Sequence, residues 1–251
     1  PEAARRWVIE GAEDWTGARN GLIEDLESWG MSRPDRGTPT IEVADLAGQA
    51  NAYNYTSQAR VVLDASVAKN AAKFPALSPA QREYVLAMLH GENRKPEPYE
   101  APPKGFSFSS LTNVRTVVHE EFHSYGPVAK HWWKYEGSYA ALEEVTTETL
   151  ARQYMHERIG TPKALWWRWH DDSPGTAPIG SYQALCDGYV SAISTELGLP
   201  QKDAVRELER ASLMFKARDA NAGDDLIDLF LEAFPADKRA GIGLKLRGMR
   251  T

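Results

Sequence analysis

Val117-Val118-His119-Glu120-Glu121-Phe122-His123 is the stretch on which the reading of this 251-residue chain turns. Residues four apart on an α-helix lie one turn apart on the same face, so the imidazoles of His119 and His123 can reach one metal ion about 2.0–2.1 Å away. Glu120, beside the first histidine, can address a water on that ion. The flanks suit a helix. Ser109-Ser110-Leu111-Thr112 offers an N-cap, Val114, Val117, Val118 and Phe122 form an apolar stripe, and Gly126-Pro127 is a stop signal.

Two histidines leave an ion short of a third protein ligand. The extended pattern HExxHxxGxxH finds its glycine at Gly126, but its last position is Ala129, which cannot bind metal, and His131 comes two residues too late. A carboxylate from a later helix is the other source. The acidic run Leu142-Glu143-Glu144-Val145-Thr146-Thr147-Glu148-Thr149-Leu150 begins about twenty residues downstream and is helix-compatible. Without the preceding motif, such a run would read as a solvated helix face.

In these residues the chain resembles the gluzincin branch of the HExxH zinc metallopeptidases, the group of the thermolysin-like peptidases and many minimal bacterial zincins. The resemblance covers His119 to Glu148 and is one of motif. It implies Glu144 as third ligand of a single zinc ion, with Glu148, one turn on, supporting the first histidine. Glu143 competes for the ligand role: its spacing is closer to the thermolysin-like form, but one turn on it has Thr147 rather than a carboxylate. The implied activity is peptide hydrolysis by a zinc-activated water, with Glu120 as general base and then acid. A further donor is needed for the oxyanion, and Tyr154, His156, His170 and Tyr182 are candidates, with Tyr182 taken first because it opens an apolar helix-like stretch.

Composition bounds the remaining classes. The chain is 42% hydrophobic and 25% charged, enough apolar material for a core in one or two domains. No apolar run approaches the roughly 18 residues of a membrane span, so no membrane partner is expected. A formal net charge of -6 argues against general nucleic-acid binding, although Lys238 to Arg250 is locally basic and reads as a solvated end or a contact within a larger polypeptide. Cys186 is the single cysteine and reads as a small buried residue, so no internal disulfide can form. The start at Pro1 reads as an excised or processed part of a larger polypeptide; the compartment is not legible.

Along the chain, residues 1–33 read as an N-terminal helical extension with Trp7, Trp15, Leu22, Leu26 and Trp29 at helical spacing, followed by a linker over Met31 to Thr40. Residues 34–251 read as a zincin-like domain. Arg60-Val61-Val62-Leu63-Asp64 is the best strand, either an edge beside the cleft or a plain core strand. Ser78-Pro79 opens a helix that ends near Gly91, and Pro96 to Gly105 is a loop, read as connector or cleft wall. After a second breaker-rich loop at Pro174 to Gly180, helices are expected over Tyr182 to Leu197, Lys202 to Phe215 and Asp224 to Phe234. Trp132-Trp133 reads as packing of its loop on the core or as a substrate wall; Trp166-Trp167-Trp169 leads to His170, Asp171 and Asp172, too weak a cluster for a second metal.

The expected fold is therefore α+β and predominantly helical, with a small sheet packed on the motif helix. Two functions of different classes follow: a zinc peptidase acting on a peptide or protein, and a non-enzymatic helical interaction module whose metal motif is accidental or structural. A structural zinc normally fills all four positions with protein ligands, often cysteines, and one cysteine favours the first.

Overall fold

Valine and leucine on both faces make Arg60–Asp64 (β3) the middle of the sheet rather than its rim. The computed structural model describes residues 28, 40–46, 51–55, 60–127, 136–167 and 182–250. Thr40–Ala44 (β1) pairs with β3 in parallel, Thr40 opposite Arg60, and Ala52–Tyr55 (β2) pairs with it antiparallel, Ala52 opposite Leu63. The sheet order is β1-β3-β2, so among the described residues the edges are β1 and β2. This corrects the first of the two readings of Arg60–Asp64: its hydrogen-bonding groups are taken on both sides, and β2 is the edge strand that meets the motif helix.

Asp64 ends β3 and caps the next helix, Ala65–Ala71 (α1), by accepting from the Ser66 amide at 2.8 Å. Pro79–Leu89 (α2) starts with a full capping box, Ser78 and Gln81 each satisfying the other's backbone amide. The proline-rich connection after it is tied back to α2 by Gln81 Nε2 on the Ala101 carbonyl at 2.9 Å and to the turn after α1 by Lys73 Nζ on the Gly105 carbonyl at 3.0 Å.

The motif helix runs Ser109–Phe122 (α3). The serines expected to cap it lie inside its first turn; Phe108 occupies the cap position, where its phenyl ring has no acceptor to offer, and Ser109 Oγ pairs with Ser107 Oγ at 2.6 Å. Its inner face packs on α1 and β2, and from Val114 to Phe122 every residue is buried.

Gly137–Tyr154 (α4) carries the acidic run, and its surroundings overturn the solvated-face alternative. Every residue from Ala140 to Arg152 is buried, the glutamates included. The helix lies at the centre of the molecule, against α3 and against Gln183–Leu197 (α5) and Gln201–Lys216 (α6). It continues into a π-helical turn, Met155–Ile159, which stops at Gly160 with φ 89°. Leu226–Leu231 (α7) and Ala236–Leu246 (α8) close the chain. The basic end segment is thus a helix, not a solvated tail: Ile242 and Leu246 join the core, and Arg247 bonds Asp225 and Asp228, each at 2.7 Å.

One apolar cluster extends from Val61 to Leu246 and includes Trp166, Trp167 and Cys186. The predominantly helical architecture with a small three-stranded sheet on the motif helix agrees with the expectation from sequence. No described helix is long and apolar enough to cross a membrane. The helical extension at 1–33 (Ser28 aside), the linker at 31–39, Ala129 and His131, Trp132-Trp133, and Trp169 through Gly180 with His170, Asp171 and Asp172 lie outside the described residues.

Candidate metal centre

Helix α3 presents His119 and His123 from its last turn, where the 3.6-residue period stacks the two rings on one face. His119 Nε2 and His123 Nε2 are 3.0 Å apart. Glu144, from the buried centre of α4, brings Oε2 to 3.2 Å from the first and 3.5 Å from the second. The three side chains form a buried group able to hold a metal ion.

What lies behind the rings decides what lies between them. His119 Nδ1 is 3.0 Å from Glu148 Oε2, and His123 Nδ1 is 2.9 Å from Glu143 Oε1. When both rings are neutral, the nitrogen against a carboxylate carries the hydrogen, which leaves the two Nε2 atoms as lone pairs. Two lone pairs and a carboxylate oxygen then converge on one point with no donor among them. Such a set repels itself unless a proton or a metal cation sits among the three atoms. A tetrahedral ion with arms of about 2.0–2.1 Å sets its ligand atoms roughly 3.3–3.4 Å apart, close to the three separations here. The donor chemistry, two imidazoles and one carboxylate, fits zinc.

The carboxylates behind the rings are themselves pinned. Glu148, 0% exposed, pairs with Arg115 through Oε2 and with Arg152 through Oε1 at 2.7 Å. Arg152 also donates to the Trp166 carbonyl at 2.8 Å and lies over the Trp167 ring. Glu143 Oε1 accepts from Thr147 Oγ1 at 3.2 Å and Lys216 Nζ at 2.5 Å. Burial pushes Glu148 up, but Arg115 and Arg152 outweigh it and hold its pKa at about 2. Burial likewise opposes ionisation of Glu144, yet His123 and His119 keep its carboxyl well below the usual range. For His123, burial disfavours the cation, but Glu144 and Glu143 raise its pKa to about 10; His119 shifts upward against burial through Glu144 and Glu148. The shifts of Glu144, His123 and His119 express a demand for positive charge between the rings, whereas that of Glu148 answers to the two arginines behind them.

Glu120 is buried beside the group, and burial raises its carboxyl above the ordinary value, against the pull of His119 and His123. Its carbonyl accepts from Asn54 Nδ2 at 2.7 Å, and the same amide reaches Ser124 Oγ at 3.2 Å, so edge strand β2 is bound to the motif turn. Tyr182 caps α5 in the left-handed region at φ 60°, where a non-glycine residue is strained. That backbone lays its ring parallel to His119 with centroids 5.7 Å apart and brings its phenol within the field of Glu144. Burial, then Glu144 and Glu120, push the phenol pKa upward, so it remains a donor.

Of the other oxyanion candidates, Tyr154 is packed in the core and His156 Nδ1 is engaged with the Thr161 carbonyl at 2.8 Å. Glu143 faces the back of His123 rather than the convergence point. Sequence reasoning missed Arg115, Arg152 and Lys216. Arg115 stands one turn before His119 and Arg152 one turn after Glu148, a helical signal present in the chain. Lys216 carries no such signal, being 73 positions from the glutamate that it bonds.

Comparison of the chain with known protein families, with curated proteins and with solved structures returns no match.

Proposed function

We propose that this chain is a zinc-dependent metallopeptidase of the gluzincin type with a zincin-like fold. His119, His123 and Glu144 hold the ion. The observation that carries the reading is the convergence of Glu144 on two imidazoles, each ring backed by its own carboxylate, next to a glutamate whose burial makes it a stronger base. A bound zinc would supply a Lewis acid and a readily deprotonated water.

The chain's own groups do the rest. Glu120 takes a proton from the attacking water and later delivers it to the leaving amine. Tyr182, a phenol kept protonated, donates to the oxygen on which negative charge develops once its hydroxyl turns from Glu144 toward substrate. Glu148 and Glu143 hold the two imidazoles in the tautomer that offers Nε2. Strand β2, joined to Glu120 by Asn54, presents an edge of the sheet beside the site, which suits an extended peptide substrate.

The test is direct. Zinc-loaded protein and its Glu120→Gln variant are incubated with a diverse peptide mixture and the products read by mass spectrometry. Cleavage is expected from the wild type only. Zinc binding at one equivalent with no cleavage of any peptide would favour a non-catalytic role, and absence of stoichiometric zinc would end the metal reading.

A further inference from the structure

Lys216 is 0% exposed at the end of α6, and its ammonium uses all three of its hydrogens. It donates to the Phe122 carbonyl at 3.1 Å, the Tyr125 carbonyl at 3.3 Å and Glu143 Oε1 at 2.5 Å. Two of these acceptors flank His123 along the backbone, and the third is the carboxylate that bonds its ring. One cation therefore holds the chain on either side of the second histidine and the group that orients its imidazole.

We propose that Lys216 is a positioning residue of the metal centre: by drawing Glu143 behind His123, it fixes the ring and leaves Glu144 as the carboxylate that meets the ion. This rests on the reading of His119, His123 and Glu144 as ligands. Glu143 and Glu144 are adjacent, so chemistry alone does not separate them. Their environments do. Glu143 meets three donors on one oxygen, from His123, Thr147 and Lys216, whereas Glu144 meets the two Nε2 atoms. With His123 neutral, as a metal ligand must be, Lys216 is the cation among those three donors. A buried carboxylate deprived of its counter-charge cannot keep its place, since breaking a buried pair is strongly destabilising. Once Glu143 leaves, the Nδ1–H of His123 loses its carboxylate acceptor and keeps only Thr147 Oγ1 at 3.4 Å.

The experiment measures the zinc dissociation constant, by competition with a chromophoric chelator, in wild type, Lys216→Met, Glu143→Gln and the double variant. Each single change is expected to weaken zinc by about 10–100-fold, and the double variant by no more than the weaker-binding single. A lysine that merely caps α3 would give additive losses, or an unchanged constant with a lower unfolding temperature; either result overturns the proposal. A second readout is the imidazole proton signal of zinc-loaded protein. The His123 Nδ1–H resonance should be lost in Lys216→Met while that of His119, backed by Glu148, persists. Retention of both counts against the proposal. Should Lys216→Met show no cooperative unfolding, Glu143→Gln decides alone: an affinity within about threefold of wild type overturns it, and a loss of about tenfold supports it. Failure of the underlying reading looks different, because wild type itself would then bind no stoichiometric zinc.

Discussion

Two neighbouring glutamates, Glu143 and Glu144, have the same chemistry and opposite surroundings. Each residue along a helix turns the side chain by about 100°, so when one points at the Nε2 atoms the other must point elsewhere. On the proposed ligand set, Glu144→Ala removes one of three ligand atoms and is expected to abolish stoichiometric zinc at micromolar concentrations, as are His119→Ala and His123→Ala. Glu143→Ala removes an orienting partner and should retain zinc with weaker affinity. Metal analysis after dialysis distinguishes the pair, and zinc retained by Glu144→Ala but lost from Glu143→Ala would transfer the ligand role. Glu120→Gln keeps the shape of the side chain and loses the base, so zinc content and thermal stability should stay near wild type while peptide cleavage falls by about 10²–10⁴-fold or more. At this scale the chain was readable: His119, Glu120 and His123 are one helical turn, and Glu148 behind His119 follows from the next. The partner of His123 was not readable, because Glu143 acquires that position only through Thr147 and Lys216.

Helix α3 shows how an element is fitted to the centre at its end. After Phe122 the chain turns through Gly126, whose φ is 87° and whose absent side chain makes room for Lys216: a Cβ there would stand 2.8 Å from Lys216 Cδ and 3.1 Å from its Cα. Gly126→Ala thus combines left-handed strain with a collision, and a loss on the order of 2–4 kcal/mol in urea unfolding is expected. Gly105→Ala is the control. Its φ is 89° and a Cβ added there would meet nothing within 4 Å, so only the strain of about 1–2 kcal/mol should appear. Equal losses in the two variants would show that the approach of α6 is not what requires glycine at 126. The sequence marked Gly126 as a helix stop; that it is also a contact depends on α6, some ninety residues later. Strand β3 carries the same lesson. Its valines announced a strand, yet only its pairing on both sides made it central and gave the edge to β2.

For the whole molecule, charge is concentrated where water is excluded, and stability should depend on pH and metal accordingly. In the metal-free protein Glu148 has a folded pKa of about 2 against 4.5 for an ordinary glutamate carboxylate. A depressed value contributes stability that is fully present above 4.5 and is lost as pH falls toward 2. The loss is on the order of 3 kcal/mol, measured as the fall in urea midpoint over that window in chelator. A midpoint that does not change between pH 4.5 and 2 would contradict the network of Arg115, Glu148 and Arg152. His123 shifts the other way. With a folded pKa of about 10 it holds a proton at pH 7, and an ion entering the site must displace it. Zinc binding at pH 7 is therefore expected to release about one proton or more, read by calorimetry in buffers of different ionisation enthalpy, and zinc should raise the unfolding temperature in proportion to its affinity. No proton release would mean that the metal-free rings are neutral.

The amino-acid sequence by itself determined what a single helical turn can encode: two imidazoles on one face, a carboxylate beside them, and an acidic helix-former downstream. It also determined the mostly helical class, since apolar spacing near 3.6 residues runs through most of the chain. Only the tertiary structure decided which of two adjacent glutamates meets the rings, that a lysine from α6 holds the other, that the acidic helix is buried at the centre, and that β2 is an edge strand among the described residues. The reason is physical. Periodicity is local and survives in any window of sequence, whereas the rotation of α4 about its own axis is set by simultaneous packing against α3, α5 and α6, which no short stretch contains.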